Sequence, residues 1–132
     1  MTVAILQFTI IPVVADLNRS HATNPDWPAH ARFHVVTQVL TTSALGLVAL
    51  YCLWGGRFEP IVGVCIAMTI SLTVLGGFFA SAISTRYYGG QMTATRGVAA
   101  WRLGRIDGNA MNFGLSLVLL LGGRLLVMSV IS

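Results

Sequence analysis

The sequence predicts an all-α fold, an integral membrane four-helix bundle. Three observations support this prediction: 55% of the 132 residues are hydrophobic, only 9% are charged, and the mean hydropathy is +0.78. About a quarter of the residues of an ordinary soluble domain are charged, so this chain has too few charges to cover a water-facing surface. Its length suits one compact unit, and we expect residues 1–132 to form a single domain.

Four apolar segments are the predicted helices, and they cover about residues 3–16, 32–54, 60–84 and 108–131. Each of the last three is long enough to cross about 30 Å of hydrocarbon at about 1.5 Å per residue. The first is shorter, but it lacks the basic start of a signal peptide. We interpret it as a first transmembrane helix, tilted or part-spanning, in which Pro12 bends the last turn.

The connections predict the topology. Helices two and three are joined by a tight turn, whereas residues 16–33 and 84–108 form two long polar loops that four spans would place on one side of the membrane. All eight cations are arginines, and six belong to this long-loop side: Arg19, Arg32, Arg86, Arg96, Arg102 and Arg105. The positive-inside rule places these loops in the cytoplasm and both termini on the opposite side of a bacterial inner membrane or the endoplasmic reticulum. Arginines that flank apolar spans also argue against a nucleic-acid partner.

Polar side chains gather at the long-loop end. All three histidines and three of the four carboxylates belong to it. Polar groups inside a membrane helix usually face the bundle interior or a wet cavity. Because His30, His34 and Gln38 are spaced at i, i+4 and i+8, they share one helix face. The sequence therefore predicts a pocket that is open at the long-loop end and closed by apolar packing beyond it.

The residue types in this pocket suit general acid–base chemistry. An acid pulls on an oxygen or alkene, a carboxylate or imidazole accepts a proton, and amides orient the substrate. The predicted catalytic residues are Asp16, His21, His30, Arg32, His34 and Asp107. The predicted substrate-binding residues are Asn18, Asn24, Trp27, Gln38, Tyr87, Tyr88, Asn109 and Asn112.

Several of these residues also have a purely structural interpretation. Asp107 suits the N-cap of the fourth helix. Trp27, Tyr87 and Tyr88 suit the aromatic belt at a membrane interface, and Gly89 follows the two tyrosines as a helix stop. Arg32 can anchor the helix at the headgroups or hold Asp16 or Asp107 ionised. These alternatives stay open at the level of sequence.

No cofactor is predicted, but zinc or iron is the alternative. The HxxxH spacing of His30 and His34 places two ligands on one helix face, and Asp16 and His21 would complete four. The two cysteines lie inside apolar segments without a CxxC spacing, so we interpret them as packing residues. Phosphate-loop, dinucleotide and GxSxG motifs are absent from the sequence.

The run HATNPDWPAHARFH, together with four helices and a polar cluster at one face, resembles small four-helix membrane proteins of the EXPERA and DoxX-like kind. EXPERA-type proteins include sterol isomerases, which move protons on a lipophilic substrate inside the bundle. The resemblance implies a cavity for a hydrophobic molecule and acid–base chemistry on it. This chain has no glutamate within its helices, so no catalytic acid is carried over.

The sequence thus predicts a membrane enzyme that acts on a lipophilic small molecule. The reaction would be isomerisation, the opening or hydrolysis of an epoxide, or cyclisation. Its expected partners are that substrate, membrane lipids and a second copy in a homodimer. Two alternatives remain: a non-catalytic subunit that binds a lipid or a partner, and a small proton-coupled transporter.

Overall fold

The structure is a computed structural model that describes residues 1–92, 102–103 and 106–131. Within them the chain forms four helices and one short antiparallel pair of two-residue strands that precedes the fourth helix. The elements are α1 (Thr2–Asp16), α2 (Ala29–Trp54), α3 (Pro60–Tyr88), β1 (Arg102–Leu103), β2 (Ile106–Asp107) and α4 (Gly108–Ile131). The predicted all-α fold is confirmed.

Three helices are long and apolar enough to cross a membrane: Ala29–Trp54, Pro60–Tyr88 and the part of α4 from Gly108 to Val127. This is the pattern expected of a multi-pass membrane protein. With 15 residues, α1 is shorter. At about 1.5 Å per residue it reaches about 22 Å, less than the hydrocarbon thickness.

Two helices extend beyond their predicted bounds toward the long loops. The helix α2 begins at Ala29 because Pro28, with φ −54° and ψ 140°, is the last extended residue before it. The helix α3 continues to Tyr88 and stops at Gly89, whose φ of 67° is the left-handed conformation that commonly ends helices. Tyr87 and Tyr88 therefore lie in the last turn of α3 and not in the loop.

Although it is short, α1 contributes more residues to the buried core cluster than any other helix does. Ala4, Ile5 and Phe8 are fully buried, and they pack with one or two residues from each of the other helices: Ala49, Ala67, Leu75 and Leu120. Each helix neighbours the next in a ring: α1 packs on α2 and α4, and α3 packs on α2 and, less extensively, on α4. The bundle thus encloses space between its four helices.

The closest approach of α1 and α2 occurs at Gly46. A Cβ atom there would lie 1.8 Å from the Oγ1 atom of Thr9, so only glycine fits. Beside it, the Ser43 hydroxyl donates a hydrogen bond of 2.9 Å to the Thr9 carbonyl oxygen. This crossing fixes how the end of α1 lies against the first half of α2.

Candidate functional site

A cavity of about 500 Å³ lies between the four helices, in the half of the bundle nearest the end of α1 and the start of α4. Three polar side chains that the sequence singles out line it, namely Asp16, Gln38 and Asn109. Much of the remaining wall is apolar and is built by Ile11, Val39, Leu45, Val74, Phe78 and Phe113. Small-molecule sites commonly combine a mostly apolar wall with a few polar groups.

The Asp16 carboxyl group lies close to the His21 imidazole. Its Oδ1 atom lies 3.7 Å from the His21 Nδ1 atom, and the two side chains are 31% and 28% exposed. The pair lies where α1 ends and the first long loop begins. A half-buried carboxylate with an imidazole at this distance can exchange a proton through a small adjustment or one water molecule.

The hydrogen bonds around His21 define its proton position. The Asn18 Oδ1 atom accepts bonds from both the backbone N–H and the hydroxyl of Ser20, at 2.7 and 2.6 Å. Because a hydroxyl has one proton, the Ser20 oxygen must accept at its second contact, 2.7 Å from His21 Nδ1. We therefore assign a proton to Nδ1, which leaves Nε2 as the nitrogen that can take up or release a proton.

The two asparagines of the first loop have structural partners. Asn18 donates to the carbonyl oxygens of Val14 and Ala15 and so caps the end of α1. Asn24 is buried and donates to the Ser20 carbonyl oxygen. Trp27 packs edge-on against His21, with ring centroids 5.2 Å apart. These contacts fold the loop around the Asp16–His21 pair.

The other two histidines pair with each other. The Nε2 atoms of His30 and His34 lie 2.9 Å apart, and both side chains are exposed. Neither histidine lines the cavity, although His34 lies one helical turn before Gln38 on the same face. Arg32 is half-buried and forms no ion pair with Asp16 within the part of the chain that the structure describes.

The four residues of the alternative metal site form two separate pairs, Asp16 with His21 and His30 with His34. Among the described residues, no group of three or more His, Cys, Asp or Glu side chains is arranged to hold a metal ion. The predicted four-ligand arrangement is therefore not assembled here.

The candidates that flank the second loop have structural contacts. The Asp107 carboxylate accepts a bond of 2.8 Å from the Asn109 backbone N–H, so it caps α4 as its sequence position predicts. Tyr87 is 75% exposed beneath the Arg86 guanidinium, and the Tyr88 hydroxyl donates to the Ser81 carbonyl oxygen. Exposed tyrosines at the end of an apolar helix fit the aromatic belt.

One polar residue of the bundle interior was missed by sequence reasoning. Gln7 donates to the Asn112 side-chain oxygen at 3.2 Å and accepts from the buried Ser116 hydroxyl at 3.1 Å, which ties α1 to α4. The Asn112 Nδ2 atom is buried and has no hydrogen-bond partner among the described residues. The one feature of the sequence that could have identified Gln7 is that it places a single amide side chain inside an apolar run.

Fold and site define the class of this protein as a helical, multi-pass membrane protein with a cavity of mixed apolar and polar lining that carries one carboxylate in its described wall. Comparisons with known protein families, with curated proteins and with solved structures find no match. The resemblance to EXPERA and DoxX-like proteins therefore stays a prediction.

Proposed function

We propose that the chain is an integral membrane enzyme that performs general acid–base chemistry on a lipophilic small molecule. The observation that carries the proposal is the position of Asp16: it lines a cavity whose wall is otherwise apolar or uncharged polar among the described residues, and it lies 3.7 Å from His21. An apolar wall suits a substrate that arrives from the bilayer. The carboxylate can accept a proton from the substrate and return it at another position, while the neighbouring imidazole, which does not line the cavity, can exchange protons with solvent.

In this proposal the roles follow from position. The Asp16 carboxyl exchanges a proton with the substrate, and His21 exchanges protons with solvent through Nε2. Gln38 and Asn109, which line the same cavity, orient the substrate through its polar groups. Isomerisation or cyclisation needs only this proton movement, and epoxide hydrolysis adds one water molecule.

The proposed orientation places the polar end of the cavity at the cytoplasmic face. Arg19, Arg32 and Arg86 lie at this end, near the ends of α1, α2 and α3, whereas Arg57 lies in the turn at the opposite end. Arg96 and Arg105 count toward the same end in the sequence but lie outside the described residues. The excess of arginine supports this orientation through the positive-inside rule.

A second candidate function is non-catalytic binding of a lipophilic molecule. It is favoured by the composition of the wall, because Asp16 is the one titratable side chain that lines the cavity among the described residues. His30 and His34 are hydrogen-bonded to each other and do not line the cavity. A single carboxylate can serve as a recognition group without turnover.

One experiment separates the two candidates. Lipophilic molecules that co-purify with the wild type, with Asp16→Asn and with Asp26→Asn are identified by mass spectrometry. Asp26 is the control because it is an exposed loop carboxylate. For an enzyme, we expect Asp16→Asn to retain a substrate that the wild type and the control convert.

The remaining outcomes are equally informative. The same discrete molecule in all three proteins, unchanged after incubation, would favour binding without catalysis. If all three proteins carry nothing beyond bulk phospholipid, the cavity holds no specific molecule and both candidate functions are rejected.

A further inference from the structure

The four seams between neighbouring helices are not equally tight. At the α1–α2 seam, Gly46 allows the Thr9 side chain to approach, and at the α2–α3 seam a Cβ on Gly63 would lie 2.3 Å from the Cys52 carbonyl oxygen. Gln7 ties α1 to α4 through hydrogen bonds. The α3–α4 seam is the least packed of the four. A molecule that passes between helices therefore meets the least resistance at this seam.

Beside the cavity, two aromatic rings bridge the α3–α4 seam. Phe78 and Phe113 are stacked, with ring centroids 4.1 Å apart and an interplanar angle of 12°. Both rings also line the cavity. They form a flat apolar contact between α3 and α4, without a hydrogen bond that must break when the helices separate.

The α3 side of this seam opens to the outside. Thr73, Gly77 and Ser81 line the cavity and are exposed, as are Ile11, Gln38 and Asn109 on the other helices. A Cβ on Gly77 would meet no atom within 4 Å. The cavity is therefore accessible along this face of α3, a helix that is long and apolar enough to cross a membrane.

Both helices of this seam carry exposed apolar side chains outside the cavity, which suit a hydrocarbon environment. Leu72 on α3 and Leu115 and Val118 on α4 are 41%, 51% and 67% exposed. The Thr73 hydroxyl donates to the Thr69 carbonyl oxygen within its own helix, so its hydrogen-bonding need is met there. Among the described residues of α3 and α4 that line the cavity, none carries a charge that an acyl or isoprenoid chain would have to desolvate.

We propose that the cavity is reached sideways from the bilayer through the α3–α4 seam and that its ligand is an amphiphile. The polar group of the ligand lies at Asp16, Gln38 and Asn109, and its hydrocarbon chain runs past Gly77 and the two stacked rings toward the lipid. This inference rests on the proposed function, since it names the class of molecule that the same cavity takes.

The chain offers a matched pair of residues for the test. Gly76 and Gly77 are adjacent, both are exposed, and an added Cβ meets no atom within 4 Å at either. Gly77 lines the cavity, whereas Gly76 does not. Gly77→Leu places a side chain in the opening, and Gly76→Leu adds the same side chain and the same helix propensity outside it.

The probe is a 16-carbon primary alcohol with a photoreactive diazirine halfway along its chain, added to phosphatidylcholine vesicles that contain the protein. After irradiation, mass spectrometry maps the labelled residues. For the wild type and Gly76→Leu we expect labelling concentrated on Thr73, Gly77, Phe78 and Phe113. For Gly77→Leu we expect this labelling to fall by on the order of tenfold, because the new side chain fills the opening.

The outcomes separate this inference from the proposed function. Equal labelling of the seam in both leucine variants would overturn the lateral opening while leaving the cavity occupied. Wild-type labelling spread evenly over the lipid-facing residues, with none in the cavity, would overturn the inference and argue against the proposed function as well. Ser81→Leu repeats the test from a second position if Gly77→Leu does not fold.

Discussion

Replacing Gly46 with alanine tests the α1–α2 crossing that brings Asp16 and Gln38 to the same cavity. The new Cβ atom would lie 1.8 Å from the Oγ1 atom and 2.9 Å from the Cβ atom of Thr9. Rotation of the Thr9 hydroxyl away from the new Cβ atom would break the hydrogen bond of 2.6 Å that it donates to the Ile5 carbonyl oxygen, and it would not move the Thr9 Cβ atom. The two helices must therefore move apart.

The expected effect follows from two opposing terms. Overpacking of a well-packed site costs about 1–3 kcal/mol. Because this contact is so short, we take the upper end of that range, about 3 kcal/mol. Alanine in place of glycine inside a helix gains about 1 kcal/mol. We expect Gly46→Ala to lower the free energy of unfolding by about 2 kcal/mol.

The assay is reversible unfolding in mild detergent with increasing dodecyl sulfate, followed by tryptophan fluorescence. Gly77→Ala is the control, because an added Cβ there meets no atom within 4 Å and should not destabilise the protein. Thr9→Gly should restore much of the loss in a double variant, since the three nearest atoms all belong to the Thr9 side chain. If Gly46→Ala is as stable as Gly77→Ala, the proposed crossing is wrong.

Two further predictions concern polar contacts. Gln7→Leu should destabilise the bundle by about 1–3 kcal/mol in the same unfolding assay, because the Asn112 side-chain oxygen loses the hydrogen bond that Gln7 donates to it. Unchanged stability would show that the hydrogen bond between Gln7 and Asn112 does not stabilise the bundle. Any zinc that the protein binds should be held by His30 and His34, because their two imidazole Nε2 atoms lie 2.9 Å apart on exposed side chains, separate from the Asp16–His21 pair. Calorimetric titration should then show binding lost in His34→Ala and retained in Asp16→Asn, and weaker binding in Asp16→Asn would contradict this assignment.

Features that depend on neighbouring residues could be predicted from the sequence. The apolar runs predict the three long helices, the residue type and position of Asp107 predict the α4 cap, and Gly89 predicts the end of α3. Each of these depends on local backbone geometry and on the length of an apolar run. The limits of the apolar runs alone misplaced the start of α2 by three residues and the end of α3 by four, since helix-compatible residues continue past the apolar stretch.

The partners of the candidate site residues could not be predicted in the same way. The i, i+4 spacing places His30 and His34 on one face, but the spacing does not determine that they bond to each other instead of facing the cavity. Gln7 finds Asn112 at a separation of 105 residues, and no local pattern encodes that contact. Side-chain hydrogen bonds of this kind depend on which helix faces meet.

The sequence by itself determined the fold class, the apolar helices long enough to cross a membrane and the gathering of titratable groups at one end, because composition and hydrophobic run length act along the chain. Only the tertiary structure decided which of those groups share a cavity. It selected Asp16, Gln38 and Asn109 and left the His30–His34 pair outside. The physical reason is packing: helix crossings depend on close contacts between residues far apart in sequence, such as Gly46 with Thr9, and these contacts set where space remains between the helices.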